Sequence, residues 1–307
     1  MVAVNTAWDQ VSQNVFKTWL IMFLFSLFTV GVVYVLARGL GFGEVGGLGI
    51  VGIALIIAGI MNFVSYYWSD KIVLGISKAK PIEKKDNPQV YRLIENLCIA
   101  AGLPLPKIYL IEDSAPNAFA TGRDAKHAAI AFTSGILEKL NKQELEGVAA
   151  HELSHVGNRD TLLMSIVSIL VGTVALLSDW FLRMMWYGGR DNDNRERGTI
   201  FAVLALVAAI LAPIVATLIQ LAVSRRREFL ADASGVLLTR YPQGLASALL
   251  KISADREPLE VANRGTAHLY IVNPLKGKRL MGLFSNLFNT HPPIGERVKR
   301  LHEMVLP

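Results

Sequence analysis

Between Thr18 and Ala37 the chain carries no charged residue, and the same holds from Val45 to Ser69, from Thr161 to Ser178 and from Gly198 to Ser224. A helix of about 20 apolar residues crosses the hydrocarbon core of a bilayer while satisfying its own backbone polar groups. The four runs therefore predict four transmembrane helices. The third, bounded by Asp160 and Asp179, is the shortest, and a buried core helix is its alternative reading. Pro213 inside the fourth predicts a kink. Composition points the same way: 18% of residues are charged, against roughly a quarter in soluble domains, and the mean hydropathy is +0.39.

The basic residues then orient the chain. Lys71, Lys78, Lys80, Lys84 and Lys85 follow the second run, and Arg225, Arg226 and Arg227 follow the fourth, whereas Arg38 stands alone in the first connector. The third-to-fourth connector, with Arg183, Arg190, Arg195 and Arg197, is a contrary signal. On balance the positive-inside rule puts both termini and the segments 70–160 and 225–307 in the cytoplasm. The same rule accounts for the net charge of +6, which a nucleic-acid partner would otherwise be invoked to explain. No nucleic-acid-binding signature accompanies it. The N-terminal run is longer than a signal h-region and lacks a small-residue cleavage site, so it reads as a retained span. The single cysteine, Cys98, lies in an apolar helical stretch and reads as a buried small hydrophobe.

Residues 87–140 read as a small α+β unit. Asn87 to Ala101 has helical spacing and stops at Gly102, with Pro104 beyond. Lys107–Ile111, Asn117–Thr121 and His127–Phe132 read as strands, Ser134–Leu140 as a short helix, and Asn141 as the N-cap of the next.

That next helix holds His151-Glu152-Leu153-Ser154-His155. Histidines four apart share a helical face, so both imidazoles can reach one tetrahedral Zn²⁺. Glu152 is then placed to take a proton from the attacking water and pass it to the leaving amine. A third ligand is needed. The metzincin spacing would require a histidine at position 161, which is Thr161, so that class is excluded. Asp160 reads as sharing the histidine helix and so unable to fold back onto the metal. Asp179, Asp191, Asp193 and Glu196 fall at or beyond the far side of the bilayer. Glu228 remains, in Arg227-Glu228-Phe229-Leu230-Ala231-Asp232 directly after the fourth run. Asp232, one turn further along the same face, would accept a hydrogen bond from a ligand histidine. If the third and fourth runs form a hairpin, the two ligand helices emerge side by side at the membrane surface.

These two segments, together with Asn117-Ala118-Phe119-Ala120-Thr121-Gly122 and His291-Pro292-Pro293, resemble the HtpX family of membrane zinc metalloproteases in order and spacing over nearly the whole chain. The resemblance implies an α+β integral membrane protein: four transmembrane helices and a mainly helical, zincin-type cytoplasmic catalytic domain containing a small β-sheet. Its implied layout is an N-terminal hairpin (1–69), a first catalytic part (70–160), a second hairpin (161–224) and a second catalytic part (225–307). It implies one Zn²⁺ per chain, held by His151, His155 and Glu228, with Glu152 as the base. Asn117, Ala118 and Phe119 match the family's edge strand, which would pair with an extended substrate; a plain core strand is the alternative reading of the residues. His291 matches the family's late histidine, expected to meet the substrate. Arg297 matches a following arginine that orders the site, grouped here with the substrate-binding residues.

The implied setting is a bacterial or archaeal plasma membrane. The implied role is stress-linked quality control of misfolded or damaged membrane proteins, alongside other membrane proteases and with no nucleic acid involved. Processing of one defined membrane substrate is an alternative, although the related prenyl-protein proteases are longer, with more spans. A non-catalytic adaptor stapled by zinc is the reading from another class. Structural zinc sites are usually closed by four protein ligands, and only three stand out here. The segment 253–290 carries no interpretable motif; Arg256, Lys276, Lys278 and Arg279 within it read as a solvated face, with contact to lipid headgroups as the alternative.

Overall fold

The computed structural model describes residues 7–39, 47–173, 225–263, 265–274 and 292–304. Two long helices open the chain, α1 (Ala7–Gly39) and α2 (Gly47–Ile76). They run antiparallel: Trp19 stacks on Tyr66 at 6.1 Å between centroids, and the Asn62 amide donates to Met22 O (3.2 Å) and Ser26 Oγ (2.7 Å). Side-chain hydrogen bonds of this kind join helices where apolar burial cannot, because the surroundings are equally apolar.

Of the four expected spans, the first is met by Ser12–Gly31, which is long and apolar enough to cross a membrane. Residues 47–69 of the second lie in α2, and its first two residues are outside the described ones. The third begins in a shorter apolar helix, Asp160–Thr173, here α6. The rest of the third and all of the fourth lie outside the described residues. α6 is heavily buried as far as it is described: Leu163, Ile166, Val167 and Leu170 pack against Ile21, Met22 and Phe25 of α1.

The remaining elements form a mixed unit. A four-stranded sheet has the order β1-β2-β4-β3, built from β1 (Lys80–Pro81), β2 (Lys107–Ile111), β3 (Ala118–Thr121) and β4 (Ala129–Thr133). β2 and β4 are parallel, and β3 is antiparallel to β4 with Phe119 opposite Ala131. Two strands follow the sequence expectation closely. The third starts later than its alternation suggested, because Asp124 caps a 3₁₀ turn, Ala125–His127, by accepting from the Lys126 and His127 N–H groups.

Helix α3 (Pro88–Ala101) starts where the Asn87 side chain accepts from Val90 N and stops at Gly102, which adopts φ +64. Its buried stripe includes Val90, Ile94, Leu97 and Cys98, so the lone cysteine is a core residue, its thiol pushed by burial up to about 11. After the short α4 (Ser134–Lys139) comes α5 (Lys142–Gly157), opened by a capping box in which Asn141 and Glu144 each bond the other's backbone. The Glu144 carboxylate also accepts from Ser247 Oγ (2.6 Å) and Lys251 Nζ (2.8 Å) on α8 (Pro242–Ala254).

α5 is surrounded by β3, α3, α7 (Arg225–Thr239) and α8, and nearly every residue from Leu145 to Val156 is buried. α9 (Ile294–Glu303) closes the unit against α8 and α7. The core runs through Ile130, Phe132, Val148, Leu153, Leu249 and Leu301.

Candidate metal centre

His151, Glu152 and His155 occupy the buried middle of α5, and α7 lies directly across it. The approach is close because residue 235 is glycine: a Cβ there would lie 3.0 Å from His151 N. Glu228, Asp232 and Gly235 follow one another at i, i+4 and i+7, so the glycine that lets α7 descend onto α5 also turns both carboxylates toward the histidines.

The Nε2 atoms of His151 and His155 face each other at 3.2 Å. Glu228 Oε1 is 3.6 Å from His155 Nε2, and Oε2 is 3.8 Å from His151 Nε2. Ligand bonds of about 2.0–2.1 Å to a tetrahedral Zn²⁺ place neighbouring donor atoms about 3.3 Å apart. The three groups fit that requirement, and among the described residues they are the cluster of histidines and carboxylates able to hold a metal.

Each imidazole has its other nitrogen occupied. His151 Nδ1 meets Asp232 Oδ1 at 3.0 Å, and His155 Nδ1 meets Asp160 Oδ2 at 3.1 Å. A carboxylate on Nδ1 fixes the ring orientation and leaves Nε2 for the metal. Asp232 is held in turn by Arg297, whose Nε (2.9 Å) and Nη2 (2.6 Å) donate to its two oxygens, while Nη1 lies 3.4 Å from Glu228 Oε2.

Charge and burial oppose each other throughout the cluster. Burial pushes the Glu152 carboxyl up to about 7, with Glu228 adding to the rise and His155 and the Ala120 N–H working against it. A base near neutral pH matches the task of proton transfer. His151 is held below the usual imidazole range by burial, against the pull of Asp232. For His155, burial is outweighed by the Asp160 hydrogen bond and by Glu228, so its imidazole rises to about 9. Burial alone would raise Asp232, yet the Arg297 charge and the His151 and Arg297 hydrogen bonds keep it low.

A family model described as Peptidase family M48 matches residues 84–305, which include all of these residues. This chain belongs to peptidase family M48. Relatives named "Protease HtpX homolog" match over nearly the whole chain, among them three from distant organisms. That of Dictyoglomus thermophilum is 44% identical, covering 97% of this chain and 95% of the relative. That of Tropheryma whipplei strain Twist is 46% identical, over 96% and 97%. That of Pyrococcus furiosus is 43% identical, over 94% and 96%. A crystal structure of Ste24p from S. mikatae is similar at 22% identity and a TM-score of 0.49, with 93% of this chain covering 66% of that one. The resemblance drawn from the motifs therefore holds: the chain is a metallopeptidase of the HtpX group.

Within this M48 chain the remaining sequence expectations fall unevenly. Asn117, Ala118 and Phe119 lie at the free edge of the sheet, next to α5, but all three are buried and largely engaged. The Asn117 amide donates to Val272 O (2.9 Å), Ala118 O accepts from Ile271 N (3.0 Å), and Phe119 packs edge-on to Tyr270. The uninterpretable segment 253–290 thus supplies residues that run along the edge strand. In an antiparallel ladder alternate residues face outward, so Ala120 shares the orientation of Ala118, and its N–H is turned toward Glu152, where it favours the carboxylate form.

Arg297 is fully buried, and its donors serve Asp232 and Ile271 O. It organises the metal cluster and has no face open to a peptide, which corrects its grouping with the substrate-binding residues. His291 lies outside the described residues.

Contrary to expectation, Asp160 does not share the histidine helix but opens α6. The helix of His155 ends at Gly157, and Arg159 takes φ +55, a conformation non-glycine residues rarely adopt. That break starts α6 in a new direction and swings Asp160 back beneath His155. Asp160 is not among the three clustered donors, but it holds one of them. Asn14 of α1 donates to its other oxygen at 2.6 Å, with Arg227 Nη1 at 3.7 Å. The only sequence signal was an acidic residue placed at the mouth of an apolar run.

Proposed function

We propose that this M48 chain is a zinc-dependent endopeptidase of the plasma membrane, working on misfolded or damaged membrane proteins at the cytoplasmic surface. The observation that carries the reading is the convergence of His151 Nε2, His155 Nε2 and Glu228 on one point, with Glu152 in the same buried cluster. Zn²⁺ is the cofactor this donor set suits, and when bound it supplies Lewis acidity toward the scissile carbonyl and the attacking water.

The protein's own groups supply the rest. Glu152 accepts the proton of the attacking water on its carboxylate and returns it to the leaving amine. Asp232 and Asp160 hold the two imidazoles in place. The outward-facing backbone of β3 around Ala120 aligns an extended chain beside Glu152, in the manner of strand addition at a sheet edge. His291 is kept in this proposal as a contact to the substrate near the reacting carbonyl.

The four apolar runs, the basic flanks of the second and fourth, and the length of Ser12–Gly31 support the membrane setting. With α1 and α6 packed on one another and Asp160 lying beneath His155, the cleavage site sits at the end of the membrane helices. Chains that have slipped from the bilayer are natural substrates for such a site, and other membrane proteases are its expected partners.

The test is casein cleavage by detergent-purified protein with and without a chelator, alongside metal content. Glu152→Gln should retain one zinc per chain and lose cleavage by about 10²–10⁴-fold, the usual contribution of general acid–base catalysis. A variant that cuts as fast as the parent removes Glu152 from the base role.

A further inference from the structure

Away from the metal, a cavity of 450 Å³ lies between the end of α2 and the strands β2 and β4. Lys71, Lys107, Arg123 and Lys126 line it, against the single carboxylate of Asp70. Arg123 has a partner in Asp124 (3.6 Å) and lies over the Tyr67 ring at 5.3 Å. Among the described residues the three lysines form no salt bridge. The cavity is thus strongly biased toward an anion.

Its surroundings say what kind of anion. On α2, Ile53, Ile56, Ile60 and Phe63 are each 55–64% exposed and recur at helical spacing. The same face continues through Tyr67, one turn on, to Lys71, one turn further. Phe63 to Lys71 spans about 12 Å at helical rise. Apolar, aromatic and cationic groups therefore follow one another along a single face, in the order of acyl chain, interface and headgroup. Trp19, Tyr66 and Trp68 stand at the level of Tyr67, as residues of an interfacial aromatic belt do.

We propose that this cavity binds the phosphate headgroup of an anionic phospholipid, with the acyl chains lying along the exposed face of α2. Lys71, Lys107 and Lys126 pair with the phosphate, and Arg123, held against Tyr67, forms the wall facing the sheet. The proposal rests on α2 as a membrane helix and is independent of the peptidase chemistry. Because the cavity joins α2 to β4, which pairs with β3, a lipid seated there also ties the membrane to the sheet that flanks the metal.

The experiment uses the full chain in detergent, titrated with phosphatidylglycerol or phosphatidylcholine carrying brominated acyl chains, reading quenching of tryptophan fluorescence. Phosphatidylglycerol should quench at about tenfold lower concentration, as expected for several cations near one anionic headgroup. W68F should remove most of that preferential quenching. K71Q/K107Q/K126Q should abolish the preference, while K78Q/K80Q/K84Q/K85Q, which removes more charge from the same flank, should leave it intact. Equal behaviour of the two lysine sets would mean diffuse surface charge and overturn the site. Displacement by millimolar inorganic phosphate would mean a soluble anion and overturn the lipid assignment. Casein cleavage by the triple variant should match the parent, so that failure here and failure of the peptidase reading stay separate.

Discussion

At the residue scale, the metal cluster depends on which nitrogen of each imidazole is left free, and carboxylates decide that. His151 and His155 look equivalent in the sequence, yet each is held by a different chain segment, Asp232 across the helix pair and Asp160 after a helix break. Removing the charge from such a partner typically costs 10–100-fold in metal affinity. Asp160→Asn should therefore weaken zinc retention about that much, measured by competition with a coloured chelator, while the far-ultraviolet circular dichroism stays unchanged. Unaltered affinity would mean that His155 needs no such partner. The His-Glu-x-x-His pattern and Glu228 were legible from spacing and exclusion alone. Asp160 was not, because its reach depends on the positive φ at Arg159, which no side-chain pattern announces.

At the element scale, the cluster exists because α5 and α7 touch at a glycine. Gly235 lets α7 approach His151 closely, since a Cβ there would crowd the α5 backbone at 3.0 Å. Gly235→Val should force the helices apart, destabilising the fold by about 1–3 kcal/mol, the usual cost of overpacking. Metal affinity should fall with it, since Asp232 moves with α7. Thermal unfolding and chelator competition report the two effects, and a valine variant with a parental melting temperature and parental zinc retention would dismiss the close approach as unimportant. The elements themselves were largely readable, including the caps of α3 and α5, since Asn87, Gly102 and Asn141 act locally. The edge strand was located correctly, but its partner was invisible: Ile271 and Val272 come from more than 150 residues away and carry no repeating pattern.

At the scale of the whole molecule, the apolar helices and the metal cluster form one structure. Asn14 of α1 donates to Asp160 Oδ1 at 2.6 Å, and Asp160 in turn holds His155. A hydrogen bond to a charged group contributes about 1.5–3 kcal/mol. Asn14→Leu leaves the Asp160 carboxylate short of that donor, so zinc retention should fall by about tenfold or more even though Asn14 touches neither metal nor peptide. Replacing Co²⁺ for Zn²⁺ gives an independent readout, because the visible spectrum follows the ligand geometry; a spectrum and affinity identical to the parent would show that α1 is only an anchor.

What the sequence determined by itself was everything carried by a short period or a fixed spacing. Uncharged runs marked the apolar stretches of α1, α2 and α6, histidines four apart marked one helical face, and a Glu–Asp pair four apart marked another. What only the tertiary structure decided were the contacts that join those faces: the glycine crossing of α5 and α7, the return of Asp160 to His155, and the segment around Ile271 laid along β3. Local patterns record how a chain turns on itself within a few residues. Pairings between distant segments are set by the geometry of packing and leave no regular trace in the order of the residues.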